Sequence, residues 1–269
     1  MPITPGNASD LGNNGLNFVS DEPRGPIVGP RAVLTAPHTL ADTSNVLFVG
    51  IEGGFPPVDD ITNVQVGGVS LTEFARFVDI EGRRNNYVYV LIDPPTGAQS
   101  ITIESATDHY LAGLAVDYGG ATVENFSLAN NLSPIISDEL TTTIEVLNPN
   151  SWVLVFEGGY TDNNAGPQSD DLALRTYGHE WGTPAFFDSG AAIPAGDFTF
   201  TTIRPLNLVP SIHLAVAFGP GPPLPMVNLA PATHAPVTSS RSLTARVFPI
   251  PVGVSLDPAT FPRVEISSR

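Results

Sequence analysis

The chain has 269 residues, 42% of them apolar, which suffices for one large β domain or two small ones with a substantial core. Its formal net charge is −16 at pH 7 and its eleven cations are all arginine, so the clustered cations that bind a phosphate backbone are missing and we expect no direct contact with nucleic acid. Cysteine is absent, no apolar run is long enough to cross a membrane, and residues 1–5 lack the features of a signal peptide. We therefore expect a protein that folds in a cytoplasm, without disulfides and without membrane contact.

Residues 1–40 are rich in proline, glycine and asparagine and show little periodicity. Each of Pro23, Pro26, Pro30 and Pro37 would interrupt a helix or a strand ladder. The sequence predicts an extended N-terminal arm over 1–40, which either adds one strand near 31–35 or lacks regular structure.

Regular strand signals run from Asn45 to Gly219. The apolar run 46–51 has the length of a strand that is buried on both faces, whereas 100–104 alternates polar and apolar residues like a strand with one wet face. Gly67-Gly68 can supply the positive φ angles of a tight hairpin turn. Strands at about ten-residue spacing between glycine and proline turns are typical of a sandwich. We predict an all-β chain with a jelly-roll-like β-sandwich body over 41–219.

The body contains the same β unit twice, because three short matches occur in one order. The segment 52–55 (Glu-Gly-Gly-Phe) returns 105 positions later as Glu-Gly-Gly-Tyr, and 95–97 (Pro-Thr-Gly) returns 99 positions later as Pro-Ala-Gly. The segment 114–119 (Leu-Ala-Val-Asp-Tyr-Gly) returns 100 positions later as Leu-Ala-Val-Ala-Phe-Gly. These matches predict pseudo-repeated halves at 41–120 and 140–219. Since each half alone would expose an apolar sheet face, we expect one double-sheet body whose halves share a single core.

The composition changes after Gly219. Residues 220–269 hold ten prolines, two acids and four arginines, a formal charge of +2, whereas 41–219 carry −17. They also keep apolar residues such as Val247, Phe248 and Ile250, which disordered segments usually lack. This pattern predicts a proline-rich, extended C-terminal arm that docks on its own body or on a neighbouring subunit.

A polar loop at 161–171 is the best metal candidate. Calcium takes about six to eight hard oxygen ligands, which carboxylate and amide side chains can provide. The spacing is not that of an EF-hand, and a solvated loop is the competing interpretation. The candidate calcium ligands are Asp162, Asn164, Asp170 and Asp171.

The sequence predicts no catalytic residue and no cofactor apart from this calcium. His109, His179 and His213 show no metal-binding spacing, and no GxSxG turn indicates a serine nucleophile. Glu52 and Glu157 could form the carboxylate pair of a glycoside hydrolase, but acids related by a repeat more often reflect shared turn chemistry. The loop pairs 59–60 and 170–171 are further acidic candidates for such a pair.

The run 64–72 (Val-Gln-Val-Gly-Gly-Val-Ser-Leu-Thr), followed by 87–97 and 101–103, resembles a jelly-roll family. That family is widespread in tailed-phage virion proteins and in some bacterial surface proteins. The resemblance covers 41–219, about two thirds of the chain, and brings no functional residues with it. It implies a decoration, head-fibre or tail-associated structural role.

Our leading hypothesis is a non-enzymatic virion structural protein that decorates or cements a capsid. The expected partners are the major capsid protein, other virion proteins and further copies of the same chain, and the expected location is the virion. One alternative is a carbohydrate- or receptor-binding module of a phage tail or surface fibre. The second alternative is a polysaccharide hydrolase on a jelly roll.

Overall fold

A computed structural model describes residues 2–14, 33–53, 61–78, 85–106, 110–132, 138–158, 166–178, 184–204 and 211–220, without the side chains of 123–132. These residues belong to one compact unit, 1–226, and the second unit, 227–269, lies outside them. Apart from Pro220, the predicted C-terminal arm therefore falls outside the described residues.

Every regular element in the described ranges is a strand, so the all-β prediction is confirmed. The strands are β1 (Thr4–Asn13), β2 (Val33–Leu40), β3 (Ser44–Gly53), β4 (Ile61–Val66), β5 (Val69–Ser70), β6 (Thr72–Val78), β7 (Asn85–Ile92), β8 (Gly97–Ser105), β9 (Leu111–Gly119), β10 (Ala121–Leu132), β11 (Glu139–Val146), β12 (Trp152–Gly158), β13 (Ala173–Tyr177), β14 (Ala185–Asp188), β15 (Gly196–Ile203) and β16 (Ile212–Pro220).

The strands form four antiparallel sheets, two for each half. The first inner sheet has the order β1-β9-β3-β7-β6, and the second inner sheet has the order β10-β16-β12-β14-β13. The first outer sheet is β2-β8-β4-β5, and the second outer sheet is β11-β15. The inner sheets follow the same order when β1 is matched with β10 and β9 with β16, so the two halves repeat one topology.

Three apolar clusters separate these sheets. One lies between the first inner and outer sheets, a second between the two inner sheets, and a third between the second inner and outer sheets. The two halves share the middle cluster as expected, but the expectation of only two sheets around a single core is wrong. Strands of the inner sheets are apolar on both faces, as Val46 and Phe48 on one face of β3 and Leu47 and Val49 on the other show, and each face needs its own cover.

The inner sheets pack against each other with pseudo-two-fold symmetry. Strand β9 contacts β13 and β14 of the second half, and its counterpart β16 contacts β6 and β7 of the first half. Such an arrangement is isologous, because each half uses the same surface patch toward the other. The chain thus contains an internal pseudo-dimer.

The predicted N-terminal arm contributes two strands to the first half. Strand β1 pairs with β9, and β2 pairs with β8 from Val33 to Leu40. Inward side chains alternate along β2 as a half-buried strand requires, and Pro37 is tolerated because β2 lies at the edge of its sheet. The boundary at residue 40 is therefore wrong, and the strand expected near 31–35 begins at Val33.

The hairpin prediction at Gly67-Gly68 is confirmed. Val66 pairs with Val69, and the two glycines have φ angles of 55° and 80°. A two-residue turn needs positive φ at both positions, which glycine adopts without steric cost.

Candidate functional site

The two glutamates of the Glu-Gly-Gly match lie on opposite faces of their sheets. Val46 pairs with Tyr118 in the first half as Trp152 pairs with Phe218 in the second, so β3 and β12 align with an offset of 106 rather than 105. Glu157 is then the counterpart of Ile51, and Glu52 is the counterpart of Gly158. A shift of one residue moves a side chain to the other face, so Glu52 and Glu157 are neither repeat-related nor a carboxylate pair.

Glu157 forms a buried ion pair with Arg204. Nε of Arg204 donates to Oε1 of Glu157 at 3.2 Å, and each of the two side chains is 1% exposed. The backbone N–H of Arg204 also donates to the carbonyl of Asp138 at 2.6 Å, which fixes the end of β15 beside the start of β11. The pair therefore links the second inner sheet to the outer sheet that covers it.

His213 lies beside this pair and contacts two threonines. Its Nδ1 is 2.8 Å from Oγ1 of Thr142, and its Nε2 is 2.7 Å from Oγ1 of Thr202. Burial lowers the pKa of His213 to about 4, with Glu157 acting to raise it and Arg204 to lower it. The imidazole is therefore neutral at pH 7, and the hydroxyls can serve one ring nitrogen as acceptor and the other as donor.

The first half has no such polar network at the equivalent positions. Leu40 pairs with Gly97 as Val146 pairs with Gly196, which makes Ala36 the counterpart of Thr142. The same alignments give the counterparts of the other four residues, which are Ile51 for Glu157, Ile103 for Thr202, Ser105 for Arg204 and Gly113 for His213.

The second half thus has an ion pair and a histidine where the first half has an almost entirely apolar patch. A buried ion pair is usually no more stabilising than apolar residues of similar size. All five network residues, Thr142, Glu157, Thr202, Arg204 and His213, are at most 4% exposed, so they bind one another rather than solvent in this structure. We call this set the second-half network.

A second buried cluster lies in the first half around Asp117. Its carboxylate accepts hydrogen bonds from the backbone N–H of Asn7 at 2.7 Å, from that of Ala41 at 3.1 Å and from the hydroxyl of Ser44. Nε2 of His38 is 3.3 Å from its Oδ1. Burial acts to raise the pKa of Asp117, but the contacts with His38, Ser44 and Ala41 outweigh it and lower the pKa below its ordinary value. Asp117 is therefore anionic at neutral pH.

Ser9 completes this first-half cluster from β1. Its Oγ is 2.8 Å from Nδ1 of His38, which gives the order serine, histidine, aspartate across three strands. Sequence reasoning missed this set because it looked for a GxSxG turn, whereas Ser9 lies in a strand. His38 is enclosed and turns Nδ1, rather than Nε2, toward the serine, so we assign to the cluster the role of holding β1 against β2 and β9.

A third polar set joins the two halves. The hydroxyl of Tyr118 donates to Oδ2 of Asp188 at 2.8 Å, and Nε of Arg175 is 3.4 Å from the same oxygen. Arg175 also donates through Nη2 to the carbonyl of Gly6 in β1 at 3.0 Å. Burial raises the pKa of Asp188, while Tyr118, Arg175 and the N–H of Gly190 act to lower it. We call this set the inter-half latch.

The calcium candidates are only partly covered by the described residues. Asp162 and Asn164 lie outside them, as do His109, His179 and residues 59–60. Asp170 and Asp171 are exposed, and Oδ2 of Asp171 accepts the backbone N–H of Thr201 at 2.9 Å, so it caps the edge of β15. Within the described ranges, no group of three or more histidine or acidic side chains could hold a metal ion.

No protein-family model matches this chain, and neither a curated protein nor a solved structure matches it. The part of the chain that the structure describes contains no helix that is long and apolar enough to cross a membrane. Function is therefore inferred from the sequence and the geometry of this chain.

Proposed function

We propose that this protein is a structural component of a virion, a decoration or cement protein whose β body attaches to the shell and to further copies through the C-terminal segment. The observation that carries the proposal is the closure of the body. Among the described residues, three apolar clusters lie between the sheets, so the sheets cover the apolar faces that these residues form. We therefore assign attachment to a separate segment rather than to an apolar sheet face of the body.

The edges of the inner sheets also disfavour attachment by strand pairing. Their four edge strands, β1, β6, β10 and β13, each have a register shift against the neighbouring strand. A bulge twists an edge and interrupts the row of free N–H and C=O groups that another strand would use. These edges therefore oppose uncontrolled polymerisation of the bodies.

Large exposed apolar side chains are few among the described residues of the body, and they lie on different strands and turns. Four large ones are more than 40% exposed among the described residues, and they lie on β2, β5, the turn after β11, and β13. They are Val33, Val69, Leu147 and Leu174. Single exposed apolar residues are normal on a protein surface and do not form a docking patch.

The sequence after Gly219 combines few acids with short apolar pieces. It holds 4 arginines against 2 acids, and it contains short apolar pieces between prolines. A segment with few acids can approach an acidic surface, including the body of a neighbouring copy, which carries −17 over 41–219. Many copies on one shell would add weak contacts of this kind into stable attachment.

The experiment compares the full chain with a variant that lacks 227–269 and so retains the compact unit 1–226. Analytical ultracentrifugation should show association for the full chain and monomers for the variant, with the same β-sheet circular dichroism for both. A matched control keeps the segment but replaces Arg241 and Arg246 by glutamate, which should weaken association without removing the apolar pieces. Equal sedimentation of all three proteins would refute attachment through this segment.

A second measurement addresses the virion itself. Antibodies raised against the full chain should decorate the outside of purified virus particles in electron micrographs, at regular positions on the shell. Absence of the chain from purified particles, checked by mass spectrometry of their proteins, would refute the virion assignment.

A further inference from the structure

Ser9, His38 and Asp117 form a chain of contacts that the holding of β1 does not by itself explain. Strand β10 pairs with β16 and contacts β11 as β1 pairs with β9 and contacts β2. By the strand registers, the equivalent residues of the second half are Ala129, Ile144 and Ala217. An edge strand of this fold is therefore held without a serine, a histidine or an aspartate at these places.

The carboxylate of Asp117 sets the direction of the hydrogen bonds along this chain of contacts. It is anionic at neutral pH and can only accept, and Nε2 of His38 lies 3.3 Å from its Oδ1. A neutral imidazole carries its proton on one nitrogen and leaves the other nitrogen as an acceptor. A proton on Nε2 therefore leaves Nδ1 as the acceptor for the hydroxyl of Ser9, whose Oγ is 2.8 Å away.

The two ring nitrogens of His38 are exchanged relative to the usual serine–histidine–aspartate triad, but their roles are the same. One nitrogen can take the proton of the hydroxyl, and the carboxylate orients the other nitrogen. Such a triad is recognised by geometry and roles rather than by sequence position. Ser9 thus has, within hydrogen-bond distance, the base that a serine nucleophile needs.

Ser9 differs from its two partners in its access to solvent. The side chains of His38 and Asp117 are 0% exposed, whereas Ser9 is half-buried. Strand β1 also lies at the edge of the first inner sheet, next to no further strand on its outer side. A small molecule can therefore reach β1 at Ser9, while the base that would take the proton is shielded from water.

We propose that Ser9 is a nucleophile that accepts an acyl group from small acyl esters. Oγ of Ser9 forms a bond to the carbonyl carbon of the ester, and its proton passes to Nδ1 of His38. The bond between that carbon and the leaving alcohol oxygen then breaks, and the alcohol takes the proton from Nδ1. The products are an O-acylated Ser9 and a free alcohol, and the imidazole is neutral again. The inference does not depend on the proposed virion role.

The test treats the full chain with a fluorophosphonate, which reacts with activated serine hydroxyls. Oγ of Ser9 forms a bond to phosphorus, and fluoride leaves with the proton that His38 had taken. Peptide mass spectrometry then locates the label, and Ser100, an exposed serine in β8, is the internal control. The folded chain should be labelled at Ser9, whereas the chain unfolded in urea should show no preference for Ser9. Treatment with p-nitrophenyl acetate should likewise place an acetyl group on Ser9.

Two variants separate the roles of the hydroxyl and the base. Ser9→Ala and His38→Ile install the residues of the second half, and circular dichroism checks that both keep the β-sheet fold. Ser9→Ala should remove the label. His38→Ile should slow the labelling of Ser9 about 100-fold or more, which is the usual contribution of a general base.

Three results would overturn the proposal. They are labelling of Ser9 in the folded, unmodified chain that is absent, labelling of Ser9 that is no faster than that of Ser100, and an unchanged rate in folded His38→Ile. The first two need no variant, so the proposal stays testable if His38→Ile does not fold.

A second measurement reads the position of the proton on the histidine ring. Nitrogen NMR of the full chain, with His38 assigned by its absence from His38→Ile, should show a protonated Nε2 and a bare Nδ1 in the neutral ring. A proton on Nδ1 would also overturn the proposal, because the hydroxyl of Ser9 would then have no acceptor. Deletion of 227–269 should leave the labelling of Ser9 unchanged, which separates this activity from attachment through the C-terminal segment.

Discussion

Gly50 in β3 and Phe156 in β12 occupy equivalent places in the two halves, and they pack against each other. The alignment that matches Val46 with Trp152 also matches Gly50 with Phe156, and both face the cluster between the inner sheets. A Cβ atom at Gly50 would overlap the ring of Phe156 and come within 2.8 Å of the ring of Phe186. Near a pseudo-two-fold axis a residue meets its own counterpart, so two phenylalanines would clash and two glycines would leave a cavity. Tight packing of the two halves at this point therefore requires different residues at the two positions.

Substitution Gly50→Ala should therefore destabilise the protein by about 1–3 kcal/mol, the usual cost of an overfilled core. Urea unfolding measures the change. Phe156→Leu shortens the opposing side chain, so the double variant should lose less stability than the sum of the two single variants. Strict additivity, or an unchanged midpoint for Gly50→Ala, would show that the two positions do not compete for space.

Substitution Arg204→Leu should cost about 3–5 kcal/mol, because it leaves the carboxylate of Glu157 buried without its cation. The double variant Glu157→Ile with Arg204→Ser installs the residues of the first half, Ile51 and Ser105, and should be more stable than Arg204→Leu alone. Thermal unfolding at pH 7 tests both. Glu73→Gln is the control, since Glu73 and Arg76 form an exposed pair at 3.6 Å whose loss should cost less than about 1 kcal/mol. A double variant no better than Arg204→Leu would contradict this account.

The strands and the repeat were predictable because burial on both faces and glycine–proline turns leave local signals. The number of sheets was not predictable. An apolar run such as 46–51 indicates that both faces of the strand are buried, but it does not indicate which elements cover them. The Glu-Gly-Gly match gives an alignment of β3 with β12 that is wrong by one residue. It aligns the segments where the two strands end at an offset of 105, whereas the strands themselves align at an offset of 106. Strand β1 was missed because its polar sequence has no strand pattern. Its polar groups contact Asp117 and His38, which lie far away in the sequence.

The buried polar sets were also hidden, but one signal for them was present. In the match of 114–119 with 214–219, two positions differ in side chain, Asp117 against Ala217 and Tyr118 against Phe218. These are the residues that organise the first-half cluster and the inter-half latch. Differences between otherwise matching repeats therefore marked the sites better than the matches did, although the partners, such as Ser9 and Asp188, lie too far away in sequence to be inferred.

His213 should make the stability of the protein depend on pH in the acidic range. Its folded pKa of about 4 lies below the ordinary value of 6.5, so between these values the unfolded chain binds more protons. The contribution of the neutral His213 to the free energy of unfolding is complete above pH 6.5 and is lost as the pH falls toward 4. It amounts to about 3 kcal/mol at about 1.4 kcal/mol for each pH unit.

Urea unfolding at pH 7.0, 5.5 and 4.5 measures this effect, and the proton resonances of the imidazole report whether His213 stays neutral. The variant His213→Gln keeps a polar side chain between Thr142 and Thr202 but cannot titrate, so its stability should fall less over the same range. A titration of the His213 ring near pH 6.5 in the folded protein would contradict the neutral, enclosed histidine.

Substitution Tyr118→Phe should weaken the inter-half latch without disturbing its packing, because the equivalent residue, Phe218, already shows that the ring fits this place. Loss of the 2.8 Å bond leaves the carboxylate of Asp188 under-satisfied and should cost about 1–3 kcal/mol at pH 7. The pKa of Asp188 is raised by burial, so its stabilising contribution is complete below pH 3.8 and is lost as the pH rises through the folded value.

Removing a bond that holds this pKa down raises it further, so the penalty of Tyr118→Phe should be larger at pH 7 than at pH 4. Chemical unfolding of both proteins at the two pH values measures the difference. Tyr89→Phe is the matched control, because its hydroxyl lies 3.4 Å from the half-exposed Glu73 and its loss should cost little at either pH. A penalty for Tyr118→Phe that is equal at pH 4 and pH 7 would show that Asp188 is not charged in the folded protein at neutral pH, and the latch would then be an ordinary neutral hydrogen bond.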